Sequence, residues 1–249
     1  YWAWAGKNSM PFWLQNELVW DEDVNPEGIA AGGKYMLSEK LNLVPVVGYF
    51  IVGSAGKTFS EDGSISIAQL VFNSNLGKNN IVISNGLING TAIPNTPDGT
   101  GTFTMGYNIL ATSFQLNLKK TGLKLGLDYF ENLKNYKTNT QVNDIYKNQT
   151  SGYVGSLMYS LKKIQLSYYY AHIEKYAVID YFAQDDWVRW GNTNMTRSSN
   201  FKGHELRATY NFNSKFNTEL RTYFVEGIKT TGTNLETGTR IRLDFNIKF

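Results

Sequence analysis

The sequence contains no cysteine and only two histidines, His172 and His204, among its 249 residues. The absence of cysteine excludes a disulfide framework and any thiolate metal site. A protein metal site generally needs at least three ligands, and no third candidate ligand lies near either histidine in the sequence. We therefore predict neither a metal site nor a cofactor.

The sequence also lacks any long hydrophobic run. The longest, Leu43 to Gly53, is interrupted by Pro45 and has the length of a β-strand. A transmembrane helix needs about 18–20 consecutive apolar residues, and no stretch repeats its apolar residues every 3.6 positions over a helical length. These absences exclude membrane-spanning helices and predict an all-β fold.

An excess of one charge is missing as well. The 24 Lys and Arg residues nearly balance the 21 Asp and Glu residues, so the formal net charge is +3. A nucleic-acid surface would need a clustered basic patch, and no long basic run occurs. The sequence contains no glycine-rich phosphate loop, nucleophile elbow or HExxH motif. We therefore predict neither nucleic-acid binding nor enzymatic activity.

Strict alternation of apolar and polar residues is present, most clearly in the last segment, TGTRIRLDFNIKF. Successive side chains of a strand point to opposite faces, so this segment predicts a strand with one apolar and one charged face. The apolar set is Thr239, Ile241, Leu243, Phe245, Ile247 and Phe249, and the charged set is Arg240, Arg242, Asp244, Asn246 and Lys248.

The same alternation recurs along the chain, and the connections between the alternating segments are in turn short and long. The short connections are 37–40, 76–80, 119–122, 162–163 and 214–215, and the long ones are 54–63, 89–100, 133–150, 175–200 and 228–237. Outer-membrane barrels have short turns on the periplasmic side and longer external loops. About twelve strands are expected from Pro11 onward, with Tyr1–Ala5 as the remnant of one more. A break in the alternation near Asn108–Ile109 predicts a β-bulge in a long strand over Thr102–Leu118.

Two folds explain strands with one apolar and one charged face. In a soluble β-sandwich the apolar face packs against a second sheet, whereas in a membrane barrel it meets lipid and the charged face lines a wet lumen. The regular alternation of connections and the aromatic content of 14% favour the barrel. We predict one domain over residues 1–249, a transmembrane antiparallel up-and-down β-barrel. The predicted pore-lining residues are Lys124, Asp128, Glu205, Arg207, Glu219, Arg221, Arg240, Arg242, Asp244 and Lys248.

Two segments of the sequence resemble a porin family of Gram-negative outer membranes. In the first, Trp20–Tyr35, a tryptophan and acidic residues precede an Asn-Pro-Glu-Gly turn and a strand. In the second, Asp185–Phe212, an aspartate-rich loop leads into the strand that begins near Lys202 with Lys-Gly-His-Glu. The resemblance implies a longer barrel of sixteen or more strands, of which this sequence would be the C-terminal part. It also implies that Phe249 is a signal for the barrel-assembly machinery.

The acidic turn after Trp20 has two interpretations. We expect a rim loop that places Trp20 at the membrane interface, because Asn-Pro is ordinary turn chemistry. Its carboxylates could instead bind a cation, although their spacing matches no EF-hand.

The functional expectation is a passive diffusion channel for ions and small hydrophilic solutes in the bacterial outer membrane. Its lumen charges would set ion selectivity, and residues 175–200 are the external loop expected to fold inward. The expected partners are outer-membrane lipid and lipopolysaccharide, the barrel-assembly machinery, and further copies in a homotrimer or a larger outer-membrane complex. The alternatives are a structural barrel that anchors or surrounds another membrane complex, and a soluble β-rich binding domain.

Overall fold

The computed structural model describes residues 1–52, 63–94, 104–188 and 198–248, and these residues form an all-β structure. Thirteen antiparallel strands of the described residues make one sheet, and a 3₁₀ turn at Asp144–Tyr146 lies in one of the loops. The strands are β1 Trp2–Lys7, β2 Glu27–Gly32, β3 Tyr35–Ser38, β4 Leu41–Val52, β5 Gly63–Leu76, β6 Asn79–Pro94, β7 Thr104–Leu118, β8 Leu123–Asn132, β9 Ser151–Leu161, β10 Ile164–Ile173, β11 Phe201–Asn211, β12 Phe216–Gly227 and β13 Thr237–Ile247.

No helix in the described ranges is both long enough and apolar enough to cross a membrane.

The strands follow one another across the sheet in chain order, as in an up-and-down meander. β2 and β3 both pair with β4, so they are two parts of one strand position that is interrupted at residues 33–34. The path therefore has twelve strand positions. One of them is β1, and eleven follow it, against about twelve predicted from Pro11 onward. Because twelve is even, β1 and β13 run antiparallel to each other. They form the two edges of the sheet, which is not closed.

Short and long connections lie at opposite ends of the strands, as predicted. The short ones are residues 39–40, 77–78, 119–122, 162–163 and 212–215. The long ones are residues 8–26, 53–62, 95–103, 133–150, 174–200 and 228–236. The tight turn after β7 requires glycine, because Gly122 has φ of +73° and a Cβ there would lie 2.2 Å from the carbonyl oxygen of Ser160.

The predicted bulge near Asn108–Ile109 is wrong. β7 alternates without a break, and the irregularity lies in β6, where the register with β7 shifts between Gly90 and Ile93. Ala92 in this bulge has φ of +53°. The sequence suggested a break because the apolar residues Tyr107 and Ile109 share the inner face with the polar residue Ser113. In the structure both apolar side chains are fully buried on that face.

One face of the sheet, here called the outer face, carries large apolar side chains that no second layer of described residues covers. On β13 the side chains of Ile241 and Phe245 are 70% and 65% exposed. On β12 the aromatic residues Phe216 and Phe224 lie on either side of Leu220 along the same face. The apolar residues of these strands are therefore not packed as they would be in a sandwich.

The hydrophobic core lies on the opposite, inner face. Fully buried side chains project from strands throughout the sheet, namely Phe50, Ile65, Ile88, Ile109, Phe130, Val154, Ile173 and Phe201. Two connecting segments pack against them: residues 8–26, here called the first inner segment, and residues 174–188, the second inner segment. In the second, Trp187 stacks on Phe201 and meets Tyr223 edge-on. The prediction that residues 175–200 fold inward is confirmed for their described part.

Candidate functional site

The first inner segment crosses the inner face and bonds to strands from the middle of the sheet. The backbone N–H of Trp13 donates to Oε1 of Gln69 on β5 at 2.6 Å, and Nε2 of Gln69 donates back to the Trp13 carbonyl at 2.9 Å. Further along, Gln15 and Asn16 donate to the two carboxylate oxygens of Asp128 on β8, at 2.9 and 2.7 Å. Asp128 therefore holds the first inner segment in place.

The two inner segments also contact each other. The ring of Trp20 stacks on Phe182 at a centroid distance of 4.6 Å, and the Asp21 N–H donates to the Phe182 carbonyl at 2.8 Å. Nε2 of Gln184 donates to Oε2 of Glu17 at 2.9 Å. The expectation that Trp20 lies at a membrane interface is wrong, because its side chain is only 4% exposed and packs inside the protein.

A buried ion pair fixes the start of the second inner segment. Nζ of Lys175 lies 2.5 Å from Oδ2 of Asp180, and both side chains are buried. Nδ2 of Asn132 on β8 donates to the Tyr176 carbonyl at 2.8 Å. The second inner segment is thus joined to the wall of the sheet by polar bonds as well as by apolar packing.

The inner face of β11, β12 and β13 carries a charged wall, which brings seven of the ten predicted pore-lining residues together. The register places Arg207, Arg221 and Arg242 directly opposite one another on the three strands. The neighbouring row is acidic, with Glu219 opposite Asp244. Glu205 and Arg240 flank the arginine row on its other side. The arginine row therefore lies between an acidic row and a row of mixed charge.

Three of the wall arginines pair with a carboxylate two residues away on their own strand. Arg207 lies 2.7 Å from Glu205, Arg221 lies 2.6 Å from Glu219, and Arg242 lies 2.8 Å from Asp244. Residues two apart on a strand share a face, so the sequence pattern Glu-x-Arg or Arg-x-Asp already specifies these pairs. Like charges directly opposite on neighbouring strands repel, and these pairs reduce that repulsion.

Asp186 of the second inner segment docks onto the wall from the interior. Nη1 of Arg242 donates to Oδ2 of Asp186 at 2.6 Å, and Nη1 of Arg240 lies 3.1 Å from Oδ1 and also donates to the Asp186 carbonyl. Nη1 of Arg221 lies 3.9 Å from Oδ2. One carboxylate is thereby surrounded by three guanidinium groups.

The remaining predicted site residues lie away from this wall. Lys124 and Asp128 lie on the inner face of β8, four strands from β12 along the sheet. Lys248 follows the end of β13, and its N–H donates to the carbonyl of Lys215 in the last short turn. Phe249, the predicted assembly signal, lies outside the described residues.

Burial and neighbouring acids perturb Glu17 in the first inner segment. Desolvation by burial, together with the charges of Glu22, Asp21 and Asp186, raises the pKa of Glu17 to about 7, while the charge of Arg221 opposes this shift. Glu17 is therefore poised to change its charge near neutral pH.

The histidines lie on the outer face. His172 stacks on Tyr153, and Nδ1 of His204 is 2.8 Å from the hydroxyl of Tyr168. Among the described residues, no group of three His, Cys, Asp or Glu side chains is arranged to hold a metal ion.

Sequence reasoning missed Gln15, Asn16, Glu17 and Asp186 as parts of the site. The first three lie in a segment with no alternation, where nothing in the sequence indicates which strand they contact. Asp186 carried a signal, because its loop was expected to fold inward, but the arginines that it meets are more than thirty residues away.

No protein-family model matches the chain, and no curated protein matches it at a significant level. The resemblance to a porin family therefore depends on the two sequence segments alone.

Proposed function

We propose that this chain forms the wall of a passive diffusion channel in the outer membrane of a Gram-negative bacterium. The observation that carries the proposal is the contrast between the two faces of β11–β13. The outer face exposes a largely apolar surface, while the inner face holds an arginine row beside an acidic row. Such a surface is stable against acyl chains, and such a charged face is stable against a hydrated lumen.

In the proposed functional state the sheet is a closed barrel. Unpaired strand edges inside a bilayer would leave backbone N–H and C=O groups without partners, which costs several kcal/mol each. The even number of strand positions supports closure, because β1 and β13 run antiparallel, as neighbours in such barrels must. In a barrel of sixteen or more strands, further strands would lie between β1 and β13 and close the sheet in the same way.

Transport through this channel would depend on the two inner segments and the charged wall. The segments narrow the interior, and the wall exposes arginine and carboxylate groups to whatever solute passes. Charges at close quarters in a pore select ions by electrostatic attraction and repulsion. We expect mixed-charge, weak selectivity for small hydrophilic solutes. Lipid and lipopolysaccharide would contact the outer face, and the barrel-assembly machinery would recognise the C-terminal strand.

A structural barrel without significant transport is the second candidate. The inner face of the described residues is extensively covered, because the two inner segments contact strands from β5 to β13 and each other. A filled interior suits a barrel that anchors or surrounds another membrane complex.

Planar-bilayer recording with the folded full-length protein separates the two candidates. A channel should give stepwise conductance, and changing Arg207, Arg221, Arg240 and Arg242 to Glu should shift the reversal potential toward cations. The milder variant R240Q/R242Q should shift it in the same direction by less.

The matched control reverses the same number of charges at the short turns, through Lys119, Lys120, Lys162 and Lys163 to Glu, and should shift the reversal potential less. Folded protein that leaves the bilayer as insulating as before would support the structural barrel. Extraction of the protein without detergent would refute both membrane proposals.

A further inference from the structure

The charges of the wall do not balance without Asp186. Arg207, Arg221 and Arg242 each have a carboxylate partner two residues away on their own strand. Arg240 is different, because the residues two positions away on its strand are Gly238 and Arg242, and neither carries a carboxylate. Among the described residues, its carboxylate partner is Asp186. The wall of β11–β13 therefore carries four arginines and three carboxylates, namely Glu205, Glu219 and Asp244.

The contacts of Asp186 have the form of a bound carboxylate ligand. Its two carboxylate oxygens accept from two different guanidinium groups, those of Arg240 and Arg242, with Arg221 behind them. Arginine–carboxylate bonds of this kind are charge-assisted and stronger than neutral hydrogen bonds. Tyr223 lies under the Arg240 guanidinium at 5.6 Å from its ring centroid and restricts its movement. The donors are thus held in place by the wall and not only by the carboxylate they bind.

The site remains accessible from the interior. The side chain of Arg242 is 35% exposed, whereas that of Asp186 is 11% exposed. Asp186 belongs to a connecting segment and not to the sheet, so its side chain can turn away from the arginines without breaking a strand. An arginine row with like charges opposite one another weakens the sheet, and binding an anion compensates for that cost.

We propose that Arg240 and Arg242, with Arg221 behind them, form a binding site for small solutes that bear a carboxylate, and that Asp186 occupies this site as a tethered ligand. A solute carboxylate replaces the side chain of Asp186 and accepts the hydrogen bonds that its carboxylate oxygens accept. This inference rests on the proposed channel for its physiological meaning, because it names the class of solute that the channel retains at its wall.

Asp186 and a free carboxylate compete for the same arginines, and the tether of Asp186 determines how strongly it competes. A group held on the same chain acts at an effective concentration in the millimolar range or above, so a free carboxylate must exceed that value to replace it. Removing the charge of Asp186 should therefore unmask the site, while removing Arg240 should abolish it.

Calorimetric titration of sodium acetate into the folded full-length protein in detergent tests this, with sodium chloride used to keep the ionic strength constant. D186N should bind acetate at least about tenfold more tightly than the unaltered protein, because the tethered competitor is lost. The double variant D186N/R240Q should lose that gain. D23N, which removes an exposed carboxylate of the first inner segment, should behave as the unaltered protein.

Heat-modifiable migration in gels establishes that each variant is folded before it is titrated. Equal acetate affinity in D186N and the unaltered protein, or an undiminished affinity in D186N/R240Q, would overturn the site. The titration needs no pore, so it is independent of conductance. Acetate binding without conductance would retain the site and reject the channel, whereas conductance without binding would retain the channel and reject the site.

Discussion

Two regions of the same inner face differ sharply in polarity. From β4 to β8 the inner face presents buried apolar side chains such as Phe50, Ile88 and Ile109, while on β11–β13 it presents arginines and carboxylates. Both regions alternate with a period of two, and both have apolar residues on the outer face. They differ in what lies against them: the apolar region is covered by apolar side chains of the inner segments, and the arginines of the charged wall meet the carboxylate of Asp186.

This difference shows that the polarity of a residue on the inner face depends on what lies against it and not on the strand to which it belongs. Apolar residues gain about 25 cal/mol per Å² when a neighbouring segment removes them from water. Charged residues are stable on a wall only if they keep water or a partner of opposite charge. The same sheet therefore supplies a core in one region and a candidate binding surface in the other.

The largest effect should come from opening a cavity in the apolar region. Phe50 is fully buried and stacks on Trp4 of β1. Phe50→Ala should cost about 3–5 kcal/mol of unfolding free energy, since it removes packing that cannot fully collapse. Urea unfolding of the folded protein in detergent measures this. The same change at Phe245, exposed on the outer face, should cost at most about 1 kcal/mol. Equal costs at the two positions would show that the apolar region is not a packed core.

Breaking the buried ion pair should have the next largest effect. Asp180→Asn leaves the Lys175 ammonium buried without its carboxylate, which should cost about 3 kcal/mol of docking free energy for the second inner segment. Faster hydrogen exchange in residues 174–188 would report the loss. The double variant K175M/D180L should recover much of it, because no unpaired charge remains. If the single variant exchanges no faster than the unaltered protein, the second inner segment is held by apolar packing alone.

The smallest effect should be a pH dependence of the contact between the two inner segments. The pKa of Glu17 is raised to about 7 in the folded protein by burial and by nearby acids, against an ordinary value of 4.5. The folded state therefore binds this proton more tightly, so the contact is fully stable below about pH 4.5 and weakens as the pH rises through 7. Hydrogen exchange of residues 174–188 between pH 5 and 8, corrected for the intrinsic rate, should show this weakening. Glu17→Gln should remove the pH dependence, and its persistence in that variant would assign it to another group.

Much of the sheet could be predicted because the side-chain period of a strand is a local property. β8 and β12 occur at the predicted bounds, and β11 and β13 differ from prediction by two residues at their ends. The pairs Glu205–Arg207 and Glu219–Arg221 follow from spacing alone. The bulge was misplaced because apolar residues on an inner face resemble a slip of register when the covering segment is unknown.

The site was predictable only in part. The arginine row was recognisable as one face of three strands, although its exact register required the paired strands. Asp186 reaches the wall from a connecting segment, and Gln15 and Asn16 reach Asp128 on β8 from another. Glu17 accepts a hydrogen bond from Gln184 of the second inner segment. No periodicity governs such segments, so their contacts are decided by packing over distances that local sequence does not encode.

The amino-acid sequence alone determined the all-β class, the positions of most strands, the alternation of short and long connections and the separation of apolar from charged faces. All of these depend on residues that are neighbours in the chain or two positions apart. Only the tertiary structure decided that residues 8–26 lie on the inner face, which residues the second inner segment contacts there, that Trp20 is buried, and that one carboxylate lies among three arginines. These are contacts between residues far apart in sequence, and they exist because the folded sheet brings strands and loops together.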